Sequence, residues 1–358
     1  MDVSIRKTGT LLLLGLTLGY ATLGNFAWSA THYSFVDLGT LGGSNSRAFA
    51  INDIGVIVGC SQTPDDEELH AVFWHDGDIH DLGTLGGTES IAYGIGDDGH
   101  IVGVSLTEDD DARHATLWGP DLIYDLSGSS TGTTSIAFAI NDAYQIIGNS
   151  HTDEIGARTT EWNWMAPPLS YAALPGGTSS YSNGINSLGQ IVGNSNSEES
   201  PDAIHATLWD VDGTATDLGT LGGMTSFAKG INDSGQIAGA SFLDGDEVIR
   251  ATLWDNKQAI DLGVLPGGDY SVAFGINNEG QVVGTSHRGD HRRRATLWEN
   301  GVIVDLNDYL DESLKSDGWL LDVAQAINNN GWIVGISYNE ISEETHAFLM
   351  YPIEPAEK

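Results

Sequence analysis

The chain spells out one three-part phrase seven times. In one copy it reads Asp217-Leu-Gly-Thr-Leu-Gly-Gly, then Ala228-Lys-Gly-Ile-Asn-Asp-Ser-Gly-Gln-Ile, then Arg250-Ala-Thr-Leu-Trp. A glycine recurs at a fixed place in every copy, at Gly59, Gly103, Gly148, Gly193, Gly239, Gly284 and Gly335, so the successive spacings are 44, 45, 45, 46, 45 and 51 residues. A period this regular, running through nearly all of 358 residues, means one supersecondary unit stacked repeatedly in a single array.

Each copy holds four short segments rich in β-branched and aromatic residues, of ordinary strand length. The first is Ser-x-Ala-x-Gly-Ile-Asn, as at Ser226 to Asn232; the second is Gln-Ile-Val-Gly-x-Ser, as at Gln190 to Ser195. The third is His-Ala-Thr-Leu-Trp, as at His205 to Trp209, and the fourth ends in Asp-Leu-Gly, as at Asp261 to Gly263. An Asn-Asp-x-Gly turn joins the first two (Asn232-Asp-Ser-Gly235), and a short turn such as Asn300-Gly301 joins the last two. Both are hairpin turns, because Asn, Asp and Gly tolerate the backbone a tight reversal demands. A longer, mostly acidic loop separates the second segment from the third. Each unit therefore reads as a four-stranded antiparallel meander.

Such a sheet cannot bury both faces alone, and in Ala-Thr-Leu-Trp the Leu and the Trp point to opposite faces. Packing sheets face to face around an axis resolves this, which is the arrangement of a β-propeller. The strand carrying Ala-x-Gly suits the innermost place, where small side chains fit the crowding. The chain is thus predicted to be all-β: a seven-bladed β-propeller of four-stranded antiparallel blades. The fourth-type segment Tyr33 to Leu38 comes before the first complete copy, and the last copy stops after its third strand, His346 to Met350. The N-terminal strand is therefore expected to pair with the last blade and close the ring. Closing a loop of this length costs roughly 5 kcal/mol, and burying Tyr33, Phe35, Val36 and Leu38 at about 1.5–3 kcal/mol each exceeds that.

Residues 1–30 read as a secretory signal peptide. Arg6 and Lys7 precede an apolar stretch from Leu11 to Trp28, with cleavage expected after Ser29 or Ala30. The competing reading is an uncleaved anchor, since residues 8 to 31 carry no charge. The propeller is placed at residues 31–353 and a C-terminal tail at 354–358. Cys60 is the single cysteine, so there is no internal disulfide. The net charge of −36 makes nucleic acid and anionic membranes poor partners and cations or basic surfaces better ones.

These motifs together resemble the bacterial extracellular HAF-repeat proteins, whose name is spelled literally at His346-Ala347-Phe348. The resemblance covers nearly the whole chain after the leader. It implies a secreted or surface bacterial protein of repeated β-structure (extracellular, with the periplasm as an alternative), and it does not by itself imply a catalytic activity.

One position is basic in all seven copies: His70, His114, Arg158, His205, Arg250, Arg294 and His346. Arg cannot ligate a metal, so the exchange of His for Arg points to one structural hydrogen bond per blade, with Asp37, Asp81, Asp125, Asp217, Asp261 and Asp305 as partners and Ala173 as the exception. The Asn series at the hairpin turn includes Gly96 in the second copy, which points to backbone conformation. The acidic loops, such as Asp65 to Glu68 and Glu108 to Asp111, lack the spacing of a strong calcium site and leave room only for weak Ca2+ association. No metal-ligating set and no other cofactor is read from the sequence.

The sixth loop, His287 to Arg294, holds four of the fourteen Lys and Arg residues in the slot that is acidic elsewhere. Arg288, His291, Arg292 and Arg293 are the candidate binding residues. The third copy departs from the pattern at Arg158 to Trp164, and the seventh carries an insertion, Asn307 to Trp319, expected to start a short helix at Asp308. No catalytic motif is present. The expected function is a monomeric, secreted, non-enzymatic scaffold that binds a macromolecule or glycan through its loop face. The alternatives are an extracellular lyase or hydrolase acting on glycans at the channel mouth, and a structural surface or biofilm component.

Overall fold

The computed structural model describes residues 32–353 except 111, 121, 128–133, 153–155, 164–165 and 199–202, so the leader, the C-terminal tail and Trp164 lie outside the described residues. The described chain is all-β, with twenty-eight strands, β1 to β28 in chain order. Each repeat supplies one four-stranded antiparallel unit. The fifth is typical: β18 (Gly222–Ile231), β19 (Ile237–Leu243), β20 (Ile249–Asp255) and β21 (Gln258–Asp261) pair in that order. The first three units join into a twelve-stranded sheet, but only single parallel residue pairs, Leu69 with Glu89 and Arg113 with Thr134, link one unit to the next. The seventh unit is assembled from both ends of the chain. β26 (Trp319–Ile327), β27 (Ile333–Asn339) and β28 (Thr345–Ile353) are followed in the sheet by β1 (His32–Asp37), with Tyr33 opposite Pro352 and Asp37 opposite Phe348.

The recurring glycine has a steric cause. The first strand of each unit carries a bulge at the Ala-x-Gly segment, between Ala228 and Gly230 in the fifth unit. The bulge pushes the preceding carbonyl toward the second strand. A Cβ on Gly239 would lie 1.9 Å from the Phe227 oxygen, and the other six glycines of the series meet the matching oxygen at 1.9 or 2.0 Å. The small residues on the first strand answer a different crowding. A Cβ on Gly94 would come within 2.7 Å of the Phe138 oxygen, one unit further on.

The core lies between units rather than within them. Val192, Ala206 and Leu208 of the fourth unit pack against Ala228, Ile237 and Trp254 of the fifth. Trp74, Trp118, Trp162, Trp209, Trp254 and Trp298 are all at most 4% exposed, and Met350 fills the place in the seventh unit. Each buried indole contributes roughly 3 kcal/mol or more. The first and seventh units share a cluster of the same kind: Ala48, Val72 and Trp74 with Val334 and Ala347.

Hydrogen bonds repeat the linkage. The first-strand serine accepts from the third strand of the preceding unit, as Ser226 Oγ does from Ala206 N at 2.9 Å, and Ser46 Oγ accepts from Ala347 N at the same distance. The insertion of the seventh unit differs from expectation. Asp305 caps a 3-10 turn at Leu306–Tyr309, and the α-helix begins only at Glu312, running to Ser316.

Candidate functional site

The two ends of the units differ in kind. On the turn face, the six asparagines after the first strands each do two jobs. Asn232 Oδ1 accepts from Gln236 N at 2.9 Å, closing its own turn, and its Nδ2 donates to the Asn277 carbonyl of the next unit at 3.0 Å. The same inter-unit bond runs from Asn141 to Asn186, Asn186 to Asn232, Asn277 to Asn328, and Asn328 to Asn52, at 3.0–3.2 Å. Asn52 donates to the Gly96 carbonyl at 3.2 Å, and Gly96 has no side chain to continue the series. None of these asparagines, nor Gly96, has a positive φ. The turn role read from the sequence is present, but the amide oxygen carries it rather than an unusual backbone conformation. The turns surround a small cavity of about 220 Å³ lined by residues from every unit.

On the loop face the units diverge and the cavities widen. One cavity of about 490 Å³ lies between the first and second units, with Arg47, Phe49, Glu67, Glu68, Glu89 and Tyr93 on its walls. A second, of about 420 Å³, spans the sixth, seventh and first units and includes Arg47, Tyr270, Phe274, Arg293, Asp322 and Tyr338. Arg47 is exposed and belongs to both. Phe49, Tyr93 and Phe138 occupy the middle position of Ala-x-Gly in successive units and stand in contact, with centroids 5.3 Å apart. Lys229 has the same position in the fifth unit, and burial pushes its amine below the ordinary range. Burial also raises the Asp322 carboxyl, against the opposing charges of Arg293, Arg294 and His287. A larger groove of about 660 Å³ on the flank of the first two units has Asp81 as its one charged lining group. Its other walls include Phe73, Trp118 and Leu122, and its polar chemistry is poor.

The residues singled out in the sequence are placed as follows. His70, His114, His205 and His346 lie 2.7–2.9 Å from Asp81, Asp125, Asp217 and Asp37. Arg250 Nε stands 3.8 Å from Asp261. Several of these side chains also reach a backbone carbonyl at the start of the next unit: His205 meets Met224 O at 3.1 Å, Arg250 donates to Asp269 O at 2.6 Å, and Arg158, opposite the Ala173 exception, donates to Thr178 O. The hydrogen bond to Asp217 raises the His205 pKa against the cost of burial, and that to Asp37 does the same for His346.

In the sixth loop the cations are tied to neighbouring acids. Arg288 donates to the buried Asp305 at 2.9 Å, closer than Arg294, whose Nε is 4.0 Å away. Arg292 pairs with Glu340, and Arg294 with Asp290. The loop is not a patch of uncommitted positive charge, and Arg293 lines the cavity of about 420 Å³. The acidic loops are likewise partly committed. Asp66 accepts from Ser44 N at 2.6 Å, Asp110 from Thr88 N at 2.9 Å and Asp246 from Met224 N at 2.7 Å. In the sixth unit that clasp is rebuilt. Asp269 stands where Ser44, Thr88 and Met224 stand, and it is met by His287 Nδ1 at 2.9 Å and His291 Nδ1 at 3.2 Å.

Sequence reasoning missed Arg47, Tyr93 and Asp322, because each is a variable position inside an otherwise repeated strand. It also missed the Asp269–His287–His291 group, whose members are split between a connection and a loop.

No protein-family model matches the chain, and no curated protein sequence does. Solved structures do. The β-propeller domain of the Trilobed protease from Pyrococcus furiosus is 14% identical, with a TM-score of 0.53, over 75% of this chain and 85% of that one. A Mycobacterium tuberculosis puromycin-hydrolyzing peptidase is 13% identical over 75% of this chain and 46% of that one, with a TM-score of 0.49. Trypanosoma rangeli sialidase is 10% identical over 89% and 59%, with a TM-score of 0.43. The first likeness speaks to the fold alone. A likeness of fold gives the expectation of a non-enzymatic scaffold no support. Among the described residues no helix is long and apolar enough to cross a membrane. The chain has a β-propeller fold.

Proposed function

We propose that the protein is a seven-bladed, HAF-type β-propeller, closed by its N-terminal strand, exported as a monomer after loss of residues 1–30, and that it binds a glycan at the mouth of its loop face. The pairing of β1 with β28 and the bond from Asn328 to Asn52 support closure. One observation carries the binding reading: two cavities of about 490 and 420 Å³ meet at exposed Arg47 and mix aromatic rings with charged groups. Sugars are held by that combination, with rings offering flat apolar faces and side chains fixing hydroxyls or carboxylates. The acids of this rim leave room for weak calcium association.

The test is a glycan-library screen with residues 31–358, with and without calcium, followed by titration of any binder against Arg47→Ala. The variant is expected to lose about tenfold in affinity, ~1.4 kcal/mol, at an unchanged melting temperature. Equal binding by both proteins overturns the assignment of the mouth. A glycan-cleaving reading has one observation in its favour, the raised Asp322 carboxyl beside Arg293, which suits a proton donor. Product release by the wild type, abolished in Asp322→Asn, would replace binding with catalysis at the same place.

A further inference from the structure

We propose that Asp269, His287 and His291 form a binding site for a divalent transition-metal ion of the zinc class. The inference is independent of any ligand at the channel mouth. It starts from geometry: one carboxylate oxygen and two imidazole nitrogens all lie within 4.8 Å of one another, the one such group among the described residues. Metal–ligand bonds of ~2.1 Å in tetrahedral geometry set ligand atoms about 3.4 Å apart. His287 Nδ1 lies 2.9 Å from Asp269 Oδ1, and His291 Nδ1 lies 3.2 Å from Asp269 Oδ2. Without an ion, the carboxylate holds both rings through their protons. A metal ion takes the place of those protons, and both imidazole nitrogens already stand beside the carboxylate that would share it.

The three ligands are positioned by the backbone. His287 is the last residue of β23 (Val282–His287); its N–H donates to Tyr270 O at 2.8 Å, and its ring lies 4.7 Å from that of Tyr270. His291 sits in a left-handed turn, φ 58°, held by its N–H to Arg288 O at 2.9 Å. The carbonyl of Asp269 is fixed by Arg250 at 2.6 Å. In the corresponding clasps of the first, second and fifth units a single aspartate faces a backbone N–H, which offers an ion one ligand instead of three.

The donor set selects the ion. Two imidazoles and one carboxylate suit zinc, cobalt, nickel or copper, whereas calcium and magnesium need oxygen cages. The His291 and Asp269 side chains are 69% and 57% exposed, so water can complete the coordination. Arg288, the adjacent cation, is committed to Asp305 and Asp308. The chain's charge of −36 concentrates cations around it. A bound ion would join the sixth loop to the connection that precedes its unit.

The experiment is calorimetric titration of the chelator-treated protein with zinc chloride, and with magnesium chloride as the control. His291→Ala is the principal variant, because that side chain is exposed and its loss leaves the core intact; Asp269→Asn is the second. The wild type is expected to bind one zinc ion per chain, with at least a tenfold loss of affinity in each variant and no heat from magnesium. Cobalt(II) should give visible d–d absorption with the wild type that disappears in His291→Ala. Absence of zinc binding by the wild type, or equal binding by the wild type and His291→Ala, overturns the site.

Discussion

The turn face and the loop face of this molecule are built from the same seven repeats and behave in opposite ways. On the turn face the copies agree: an asparagine closes its own hairpin and reaches into the next unit, six times. On the loop face they disagree: Arg47, Ile91, Ile136, Tyr181, Phe227 and Val272 follow the first-strand serine in successive units. A position that must pay the same structural debt in every unit cannot vary. A position that varies among identical neighbours is released from that debt and is available for recognition. Substitutions on the two faces should therefore separate stability from binding.

The largest expected effect tests where the first strand belongs. Deleting residues 31–39 removes β1 and with it the buried Tyr33 and the partly buried Phe35 and Leu38. At about 1.5–3 kcal/mol per side chain, the melting temperature should fall by on the order of 10 °C or more; an unchanged melt would mean that the strand is dispensable. Next comes the repeated glycine. Gly239→Ala puts a methyl group 1.9 Å from the Phe227 oxygen, so the bulge must open, at a cost of about 3 kcal/mol in chemical denaturation. A value near zero would show that the bulge does not require the glycine.

Asn232→Ala deletes one donor and one acceptor from a buried site and should cost about 2 kcal/mol. The second unit supplies the converse experiment. Gly96→Asn restores the missing amide opposite the Asn141 carbonyl and should add about 1 kcal/mol, provided that Asp98, whose oxygen lies 3.0 Å from the new Cβ, turns aside. Destabilisation by Gly96→Asn would place the value of the series in the turn and not in the inter-unit bond.

The smallest effect concerns pH. His205 and His346 have folded pKa values raised by hydrogen bonds to Asp217 and Asp37. A raised folded value stabilises the protein fully below the ordinary histidine pKa of about 6.5, and that stability is lost as pH climbs through the folded value. For Asp217, burial works against the hydrogen bonds from His205 and Gly219, which win and hold it below the usual range. Its contribution is present above about pH 4 and fades under acid. Melting temperature should thus decline slightly from pH 6 to pH 8, less steeply in a His205→Ala, His346→Ala double variant. An equal slope in both proteins would remove the two histidines from the account.

The all-β class and the four-strand unit are legible in the sequence because a short period forces neighbours to be partners, and hairpin turns leave little choice of order. The glycine series is visible too, but its cause is not: the clash is with a carbonyl displaced by a bulge some twelve residues earlier. The asparagines look like turn residues because the acceptor of Asn232 Nδ2 lies 45 positions further on. The helix of the insertion starts at Glu312 rather than Asp308, since Asp305 and the 3-10 turn occupy the first positions. The arginines of the sixth loop read as a basic patch until Asp305, Asp290 and Glu340 are seen beside them. Asp269 and His287 are 18 residues apart and meet only because the connection into the sixth unit folds back against the end of β23.

The contrast between the faces is tested most directly by one paired titration. A glycan that binds the wild type is titrated into Arg47→Ala and Asn232→Ala, with the melting temperature of each measured in the same buffer. The account predicts weakened binding at an unchanged melting temperature for Arg47→Ala, and unchanged binding at a lowered melting temperature for Asn232→Ala. Wild-type affinity in Arg47→Ala, or a library in which the wild type binds nothing, would contradict it.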